Sequence, residues 1–430
     1  MTQRGRHRRR RRGRALRGFL AGTALALTAA ATMISASQAT VSDTPGELKQ
    51  VEVTSALRMT EDLVPRASLD RLAAGMGRPV GVSDVLASGD RLLRDRAECP
   101  AAELAGLPVE PEPATAYCWD AADTSGWRPG AVTTSGDADE DGVWGTNRVI
   151  LSGWSHAGGL AKVAFVDAND PGRLTYSWVL LAVPVDGGND IRPLGSQLSG
   201  MVWYQDKLLV TAGAGDGAAL YVFDMNRVQR ATVDGDAVGR VAGGWSAHGA
   251  RFVLPAIGTY RLGAGSPRPD TISLDRSTVP DSLVAAASGR PDASGKRGGA
   301  RLWRYAFSSL PDRGGLLAAD TFGRVAPTEA YRTGVKNLRG VLSRDDTWYV
   351  SQSPAPDHTH GTLWRQNTDG TSAAECDSSD DHACWSASPQ SLSYWSATGE
   401  VWSQSGHTLF ALPLASVDRA AKKQWSEDAS

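Results

Sequence analysis

The sequence lacks aromatic residues over a long early stretch. No Phe, Tyr or Trp occurs from residue 20 to residue 116, whereas all 14 tryptophans lie between residues 119 and 425. Because large aromatic side chains contribute much of the buried area of folded cores, this absence predicts a domain boundary near residue 117.

Acidic residues are absent from residues 1–39, which hold nine arginines, five of them consecutive at positions 8–12. A weakly apolar stretch follows at 19–34, and residues 35–39 are small except for Gln38. This order of basic, apolar and small residues is typical of a secretory signal peptide, and the apolar stretch is too short and too polar for a membrane span. We therefore predict that residues 1–39 are a signal peptide and that the chain is secreted to the extracellular space, with no membrane anchor after cleavage.

The predicted mature part is short of positive charge. The whole chain has a formal charge of −2, and the nine arginines lie in the signal segment, so residues 40–430 carry −11. Long-range attraction to nucleic acid or to an anionic membrane is excluded for so acidic a chain, which leaves cations, neutral glycans and basic partners.

Cysteine is scarce but even in number, with Cys99, Cys118, Cys376 and Cys384. In an oxidising compartment such a set predicts disulfides, and no spacing matches a zinc site. Proximity favours the pairs 99–118 and 376–384. A rival pairing of Cys118 with Cys384 would tie the start of the β-rich region to its end.

The mature chain changes texture along its length. Residues 40–116 have apolar positions at roughly helical spacing, and three prolines at 108–113, which predicts a short helical, partly disordered arm and linker. From residue 117 to residue 418 short strand patterns alternate with Gly, Asp, Asn and Ser, which is typical of an all-β domain. Residues 263–300, rich in Pro, Gly and Ser, are predicted to be a flexible insertion, and 419–430 a disordered tail.

Internal repetition narrows the all-β architectures. Segments 198–210, 338–350 and 392–403 each contain a strand, a polar turn and a second strand, followed by a third strand. Units of about 45–60 residues that form small meanders match β-propeller blades. The sequence therefore predicts an all-β fold, a β-propeller of five or six blades preceded by the helical N-terminal arm.

One loop has the pattern of a cation site. Asp137, Asp139 and Asp141 alternate and are followed by Gly142, an arrangement that can fold carboxylates around Ca²⁺. The bidentate Glu of an EF-hand is missing, since its position is Arg148. We keep two interpretations, a calcium site and a solvated acidic turn.

Motifs of nucleophilic hydrolases, zinc proteases and nucleotide-binding loops are absent. Carboxylates that could face a propeller axis and act on glycosides are Asp123, Asp167, Asp206, Asp224, Asp320 and Glu400, all of which also suit turns and caps. Tryptophans that could stack on sugar rings, or fill the core, are Trp119, Trp127, Trp144, Trp154 and Trp203. His358 and His360 alternate in a loop. They could be metal ligands or solvated side chains.

A family resemblance adds to this interpretation. The chain resembles uncharacterised secreted β-propeller-like proteins of high-GC Gram-positive bacteria. The segments that carry the resemblance are 200–204, 220–224, 273–277, 282–284, 391–395 and 400–402. The resemblance covers residues 117–415 and implies fold and compartment, since the family has no established activity. Two motifs depart from the family, at Gln390–Ser391 in place of an acidic pair and at 197–199 in place of a His.

These observations favour an extracellular module that binds cell wall, glycan or a protein partner over an enzyme, although they do not decide between the two. The alternative is a secreted glycoside hydrolase or lyase that uses axis-facing carboxylates. Apart from calcium, no cofactor is expected.

Overall fold

The structure is a computed structural model that describes residues 44–213, 217–289, 298–376 and 381–422. The chain divides into two compact units, Met1–Thr44 and Pro45–Ser430. The predicted signal peptide at 1–39 lies outside the described residues. Everything below concerns the second unit.

Strands dominate this unit. Five strands precede the β-rich region, namely β1 (Lys49–Val51), β2 (Met59–Leu63), β3 (Arg91–Leu92), β4 (Arg94–Asp95) and β5 (Thr115–Cys118). The first meander is β6 (Trp127–Thr134), β7 (Val149–His156), β8 (Leu160–Asp167) and β9 (Thr175–Val185). Short strands of the next stretch are β10 (Asp190–Pro193), β14 (Gln229–Arg230), β15 (Val238–Val241) and β16 (Gly244–Ala247).

Four further antiparallel meanders follow the first. The second is β11 (Met201–Tyr204), β12 (Lys207–Thr211), β13 (Ala218–Asp224) and β17 (Phe252–Leu262). The third is β18 (Thr271–Asp275), β19 (Ser282–Ala287), β20 (Arg301–Ala306) and β22 (Glu329–Arg332), with β21 (Arg324–Val325) between the last two. The fourth is β23 (Leu338–Arg344), β24 (Thr347–Gln352), β25 (Thr362–Gln366) and β26 (Thr371–Ser372), and the fifth contains β27 (Ser393–Trp395), β28 (Glu400–Ser405) and β29 (Thr408–Pro413).

The alternation of side chains along a strand explains why the meanders stack. In β19, Leu283 and Ala285 pack in a cluster with residues of the second meander. Val284 and Ala286 pack with residues of the fourth. Since successive side chains of a strand point to opposite faces, a strand that is apolar at every position must be covered on both faces, and a single meander cannot do this.

Apolar clusters therefore join each meander to the next. Pairs of residues that mark these clusters, in chain order, are Phe165 with Trp203, Val222 with Trp303, Leu302 with Trp348, Tyr349 with Phe410, and Trp402 with Trp178. The last cluster packs the fifth meander against the first. The result is a propeller-like β fold, mostly strand, as predicted in its coarse outline.

The fifth meander is completed by a strand from the other end of the unit. It supplies only three strands of its own, and β5 pairs with β29 as the fourth, Thr408 lying opposite Cys118. The residues before β5 touch every other meander. β1 pairs with β22, β2 with β17 and β3 with β9, and Leu48 N–H donates to Asn367 O at 2.9 Å. We call residues 45–118 the N-terminal belt.

The predicted helical arm is not confirmed. Helices occur at Arg66–Met76, Val82–Ala87 and Ala101–Leu104, and the first two bury Leu69, Leu72, Val85 and Leu86 as their spacing indicated. However, the stretch 49–63 that was also interpreted as helical forms β1 and β2. Neighbouring sheet edges offer backbone hydrogen bonds that a local pattern of apolar residues does not reveal.

The prediction of a flexible insertion at 263–300 is wrong for residues 271–275 and 282–287. This stretch contains β18 and β19, which are buried at every residue. β18 was missed because Thr271, Ser273 and Asp275 alternate with only two apolar residues, so it does not read as a core strand. Residues 290–297 lie outside the described part.

The prediction of a disordered tail at 419–430 is wrong at its start. Residues 419–422 belong to a helix, Leu414–Lys422, whose Leu414, Val417, Ala420 and Ala421 are buried. Its charged residues Asp418, Arg419 and Lys422 obscure this apolar face in the sequence. Residues 423–430 lie outside the described part.

The favoured disulfide pairing is confirmed. Cys99 bonds to Cys118 and Cys376 to Cys384, with Cα–Cα distances of 5.6 Å in both. The first bond links Cys99 to β5 within the N-terminal belt. Within the described residues, no helix has the length and apolarity needed to cross a membrane.

Candidate functional site

A polar cavity of about 470 Å³ opens where the first strands of the meanders end. Loops from the first, third, fourth and fifth meanders form its wall. The side chains used below are Asp137, Glu140, Arg276, Ser277, Arg344 and Tyr394. The second meander reaches the same end, because Gln205 N–H donates to Ala138 O at 3.0 Å. Sequence-distant loops thus meet at one mouth.

Asp137 forms the buried part of this wall. It follows β6 in the short helix Ser135–Ala138 and is only 3% exposed. Its Oδ2 accepts hydrogen bonds from Thr133 Oγ1 at 2.6 Å and from Ser393 Oγ at 2.8 Å. Burial raises the pKa of Asp137 to about 6, although these hydroxyls and the nearby Arg276 oppose the rise. The carboxyl group therefore changes charge at mildly acidic pH.

A buried ion pair lies behind the cavity. Asp275, whose side chain is fully buried, accepts from Arg304 Nη2 at 2.8 Å. Arg304 also contacts Glu329 and donates to Ser343 Oγ, and its guanidinium lies 4.7 Å from the ring centre of Trp348. Because the charges are paired and hydrogen-bonded, their burial is tolerated.

Arg276 is held between two loops. Its Nη1 donates to Asp281 Oδ2 at 2.9 Å and its Nη2 to Asp137 O at 2.7 Å. The guanidinium lies 5.3 Å from the ring centre of Tyr204. Its Nε is buried and has no hydrogen-bond partner among the described residues. Burial raises the pKa of Tyr204 to about 12, and the adjacent Asp281 carboxylate contributes to the rise.

Arg344 lines the cavity in a similar way. It donates to Tyr394 Oη and, through Nε, to Asp345 Oδ2 at 3.1 Å, and it lies 4.7 Å from the Tyr394 ring centre. The turn is tied to the Arg276 loop, because Asp345 N–H donates to Ser277 Oγ at 2.9 Å. Two stacked Arg–Tyr pairs thus flank the cavity with limited freedom of movement.

The three carboxylates of the predicted calcium loop are not brought together. Asp137 points inward as described, while Asp139 and Asp141 are exposed, and Asp141 Oδ1 accepts from Val143 N–H at 2.9 Å. Over the described ranges, no group of three His, Cys, Asp or Glu side chains is placed to hold a metal ion. Of the three predicted residues, only Asp137 lines the cavity.

The six carboxylates considered for glycoside chemistry lie outside the cavity wall. Asp123 contacts Arg91 and Tyr176, Asp206 and Asp224 both pair with Lys207, and Asp320 pairs with Arg324 at 2.7 Å. Asp167 accepts from Asn169 N–H. For these five, turn and ion-pair roles are what the contacts show.

The candidate tryptophans differ in burial, and the two candidate histidines differ in their contacts. Trp119, Trp154 and Trp203 are fully buried and belong to the core, whereas Trp127 and Trp144 are half-buried. His358 Nε2 lies 3.4 Å from Asp381 Oδ2. His360 Nε2 lies within hydrogen-bonding distance of Leu107 O, at 3.1 Å, so the two histidines do not share a partner.

A second buried charge lies between the fifth and first meanders. Lys162 Nζ is 4.0 Å from the ring centre of Trp127 and 3.7 Å from that of Trp178, and it donates to Asp123 O at 3.3 Å. Burial lowers the pKa of Lys162 to about 7, with a further decrease from Arg91 that Asp123 opposes. Burial also acts to raise the pKa of Asp123, but hydrogen bonds from Arg91 and Tyr176 outweigh it and the pKa is lowered.

Sequence reasoning missed most of the cavity wall. Arg276 was assigned to the flexible insertion, and Arg344, Asp345 and Tyr394 were seen only as parts of repeated strand-turn-strand units. One signal was available: the first strand of three repeats ends in a polar or aromatic residue before its turn, which marks the same end of each meander.

Comparisons with known proteins add little. No family model matches the chain, and no curated protein matches it. Among solved structures, 46 chains match. One is Drosophila Plexin A in complex with Semaphorin 1b, with 9% sequence identity over 86% of this chain and 85% of that chain, and a TM-score of 0.25. So low a score supports no conclusion about fold or function.

Proposed function

We propose that this chain is an exported, five-bladed β-propeller that binds an extracellular or cell-wall glycan in the cavity at the mouth of its axis. The observation that carries the proposal is the composition of the wall, where guanidinium donors, carboxylate acceptors and hydroxyl groups alternate around about 470 Å³. Such a volume suits a small ligand, and a polyhydroxylated ring needs donors and acceptors on several sides.

Several observations support the compartment and the blade number. Two disulfides suit an oxidising environment, and residues 1–39 have the pattern of a signal peptide. Five meanders with one apolar cluster between each successive pair favour five blades over six. This part of the proposal holds whether the ligand is a glycan or a protein partner.

The resemblance to secreted proteins of high-GC Gram-positive bacteria supports the fold and the compartment in this proposal. Two segments that carry it, 273–277 and 391–395, border the cavity. The departures lie deeper: Ser391 Oγ accepts from Val132 N–H at 2.8 Å, and Leu198 is buried. We infer that these departures leave the cavity wall intact.

A glycoside hydrolase or lyase is the second candidate. It is favoured by Asp137, because a carboxyl group with a pKa raised to about 6 suits general acid catalysis. Against it, the same carboxylate accepts two short hydrogen bonds from Thr133 and Ser393, which leaves it poorly placed to reach a substrate. Calcium remains a proposal for the acidic loop, to be tested alongside.

The proposal is tested by pelleting the purified protein with insoluble cell wall and a panel of polysaccharides, in calcium and in EDTA. Arg344→Gln should reduce binding at least about fivefold, since the loss of a charged hydrogen bond costs about 1 kcal/mol or more. The matched control is Arg339→Gln, an exposed position at the other end of β23 that contacts Ser353.

Each result has one meaning. Binding that Arg344→Gln weakens and Arg339→Gln does not supports the cavity as the site. Soluble fragments or new reducing ends would establish the enzyme instead. A loss of binding in EDTA would support calcium, and equal effects of both variants would contradict the proposed site.

A further inference from the structure

The fourth meander differs from the other four at its outer edge. The N-terminal belt pairs a strand with the first, second, third and fifth meanders, but among the described residues it adds none to the fourth. Its edge strand is β26, only two residues long, whose one partner strand in the described part of the chain is β25. Exposed edge strands are commonly covered by a helix or a loop, and the belt does not provide one here.

A groove of about 230 Å³ lies along this edge. Its walls are Arg365 of β25, residues of the turn that joins β25 to β26, β26 itself and Lys422. The helix Leu414–Lys422 therefore ends in the groove, and Lys422 is the last residue that the structure describes. The segment that follows in the chain starts at the open edge.

The helix reaches the groove by crossing the fourth meander strand by strand. Asp418 Oδ1 accepts from Tyr349 Oη of β24 at 2.8 Å and from Arg365 Nε of β25 at 3.1 Å. One turn later, Lys422 lies beside residues of β25 and β26. A helix rises about 1.5 Å per residue and neighbouring strands lie about 4.8 Å apart, so three further residues correspond to about one more strand. A continued helix would bring residue 425 to the outer side of β26.

Residue 425 is a tryptophan, the only one of the 14 that lies outside the described residues. It follows the buried Leu414 by eleven residues and the buried Ala421 by four. Residues at these intervals lie on one face of a helix. A continued helix would therefore turn Trp425 toward the meander and away from solvent.

The charges of the groove and of the following segment are also complementary. Arg365 and Lys422 place two cations at the groove, with Asp369 as its one acid among the described residues. The face of an indole ring attracts such cations, and the acids at 427–428 follow Trp425 closely. The segment thus matches the groove in apolar area and in charge.

We propose that residues 423–430 cover the open edge of the fourth meander, with the helix continued by about one turn and the indole of Trp425 lying in the groove. The outer edge that the N-terminal belt leaves without a strand is thereby covered from the other end of the unit. The proposal involves no ligand of the cavity, so it fails or stands separately from the proposed function.

The test is fluorine NMR of the purified protein labelled with 5-fluorotryptophan, in which Trp425→Phe identifies the resonance of Trp425. A labelled peptide of residues 421–430 gives the position of an exposed ring. We expect the resonance in the protein to be shifted from that position and to lose most of the broadening that a soluble gadolinium chelate causes in the peptide. A resonance that matches the peptide in both respects overturns the proposal.

Two substitutions at Gly370 locate the ring. Gly370 lines the groove, its φ lies outside the left-handed region, and a methyl group added there would meet no other atom within 4 Å. Gly370→Tyr should fill the groove and move the Trp425 resonance to the peptide position, whereas Gly370→Ala should leave it unchanged. If neither substitution moves a protected resonance, Trp425 packs elsewhere and the proposal is wrong.

The edge itself provides a second measurement. Trp425→Ala should speed hydrogen exchange of residues 365–372 about tenfold or more, because a large buried apolar side chain contributes at least that ratio. Ser426→Ala is the matched control, since its position is turned about 100° from that of Trp425 on a helix, and it should not change the rate. Unchanged exchange in both variants contradicts the proposal.

Dilution distinguishes a second copy of the chain as the occupant. Protection of Trp425 that does not change with protein concentration supports coverage within one chain. Protection that is lost on dilution would show that the segment covers the edge of another copy, and the assignment within one chain would be wrong.

Discussion

Two regions of this protein bury charge, and they do so differently. Beside the cavity, Asp275 meets the guanidinium of Arg304, and Asp137 meets two hydroxyl groups. Between the fifth and first meanders, Lys162 has no carboxylate as a direct hydrogen-bond partner among the described residues and lies between the faces of Trp127 and Trp178.

The difference shows two ways of keeping an ionisable group in a β-rich core. An ion pair neutralises both charges, but removal of one member leaves the other buried without a counter-ion. Aromatic faces attract a cation without depending on an acid. We therefore expect the two regions to respond unequally to substitution and oppositely to pH.

The largest effect is expected at the ion pair. Arg304→Met keeps most of the side-chain volume but leaves Asp275 buried without its counter-ion, which should lower the free energy of unfolding by about 3–5 kcal/mol. Urea denaturation measures this change. Arg251→Met, which breaks a surface pair with Asp90 of 2.8 Å, should cost less than about 1 kcal/mol. Similar losses for both variants would contradict the contrast.

A smaller effect is expected from Asp137, and it depends on pH. Its folded-state pKa is raised from 3.8 to about 6, so its stabilising contribution is complete below pH 3.8 and is lost as pH rises through 6. A difference of this size corresponds to about 3 kcal/mol. Asp137→Asn should flatten this decline, because the amide oxygen can still accept from Thr133 and Ser393. A decline that persists in the variant would show that other groups cause it.

The smallest effect is expected from Lys162, with the opposite slope. Its folded-state pKa is lowered from 10.5 to about 7, so stability is complete above pH 10.5 and falls as pH falls through 7. The shift alone corresponds to about 5 kcal/mol, and each of the two indole faces favours the charged form by about 2 kcal/mol, so a net change of about 1 kcal/mol remains. Lys162→Met should remove this slope in thermal unfolding between pH 7 and pH 10, while the exposed Lys336→Met should not.

Much of the fold could be predicted from local patterns. The disulfide pairing followed from short separations, and the meanders followed from repeated strand-turn-strand units. β18 was not predicted as a buried strand because its polar residues, Thr271, Ser273 and Asp275, face other meanders and not water. The strands of the N-terminal belt were not predicted because their pairing partners are distant in sequence. For example, β1 pairs with β22.

The site was harder to predict for a related reason. Asp137 was identified, but with exposed neighbours as supposed partners, whereas its actual partners are Thr133 and Ser393, the latter 256 residues away. Arg276 and Arg344 carry no motif of their own. Their role depends on loops from different meanders that meet at the cavity. The spacing of residues within one loop does not predict such contacts.

The strand β5 has a consequence for how the protein is made. Cys118 is synthesised 290 residues before Thr408, the residue it lies opposite. Until β29 is available, β5 can pair only with β4, and the first and last meanders cannot meet. Because contacts so distant in sequence form slowly, we expect ring closure to be the last and slowest step of folding. A chain cut short before residue 408 would stay open, however well its other meanders had formed.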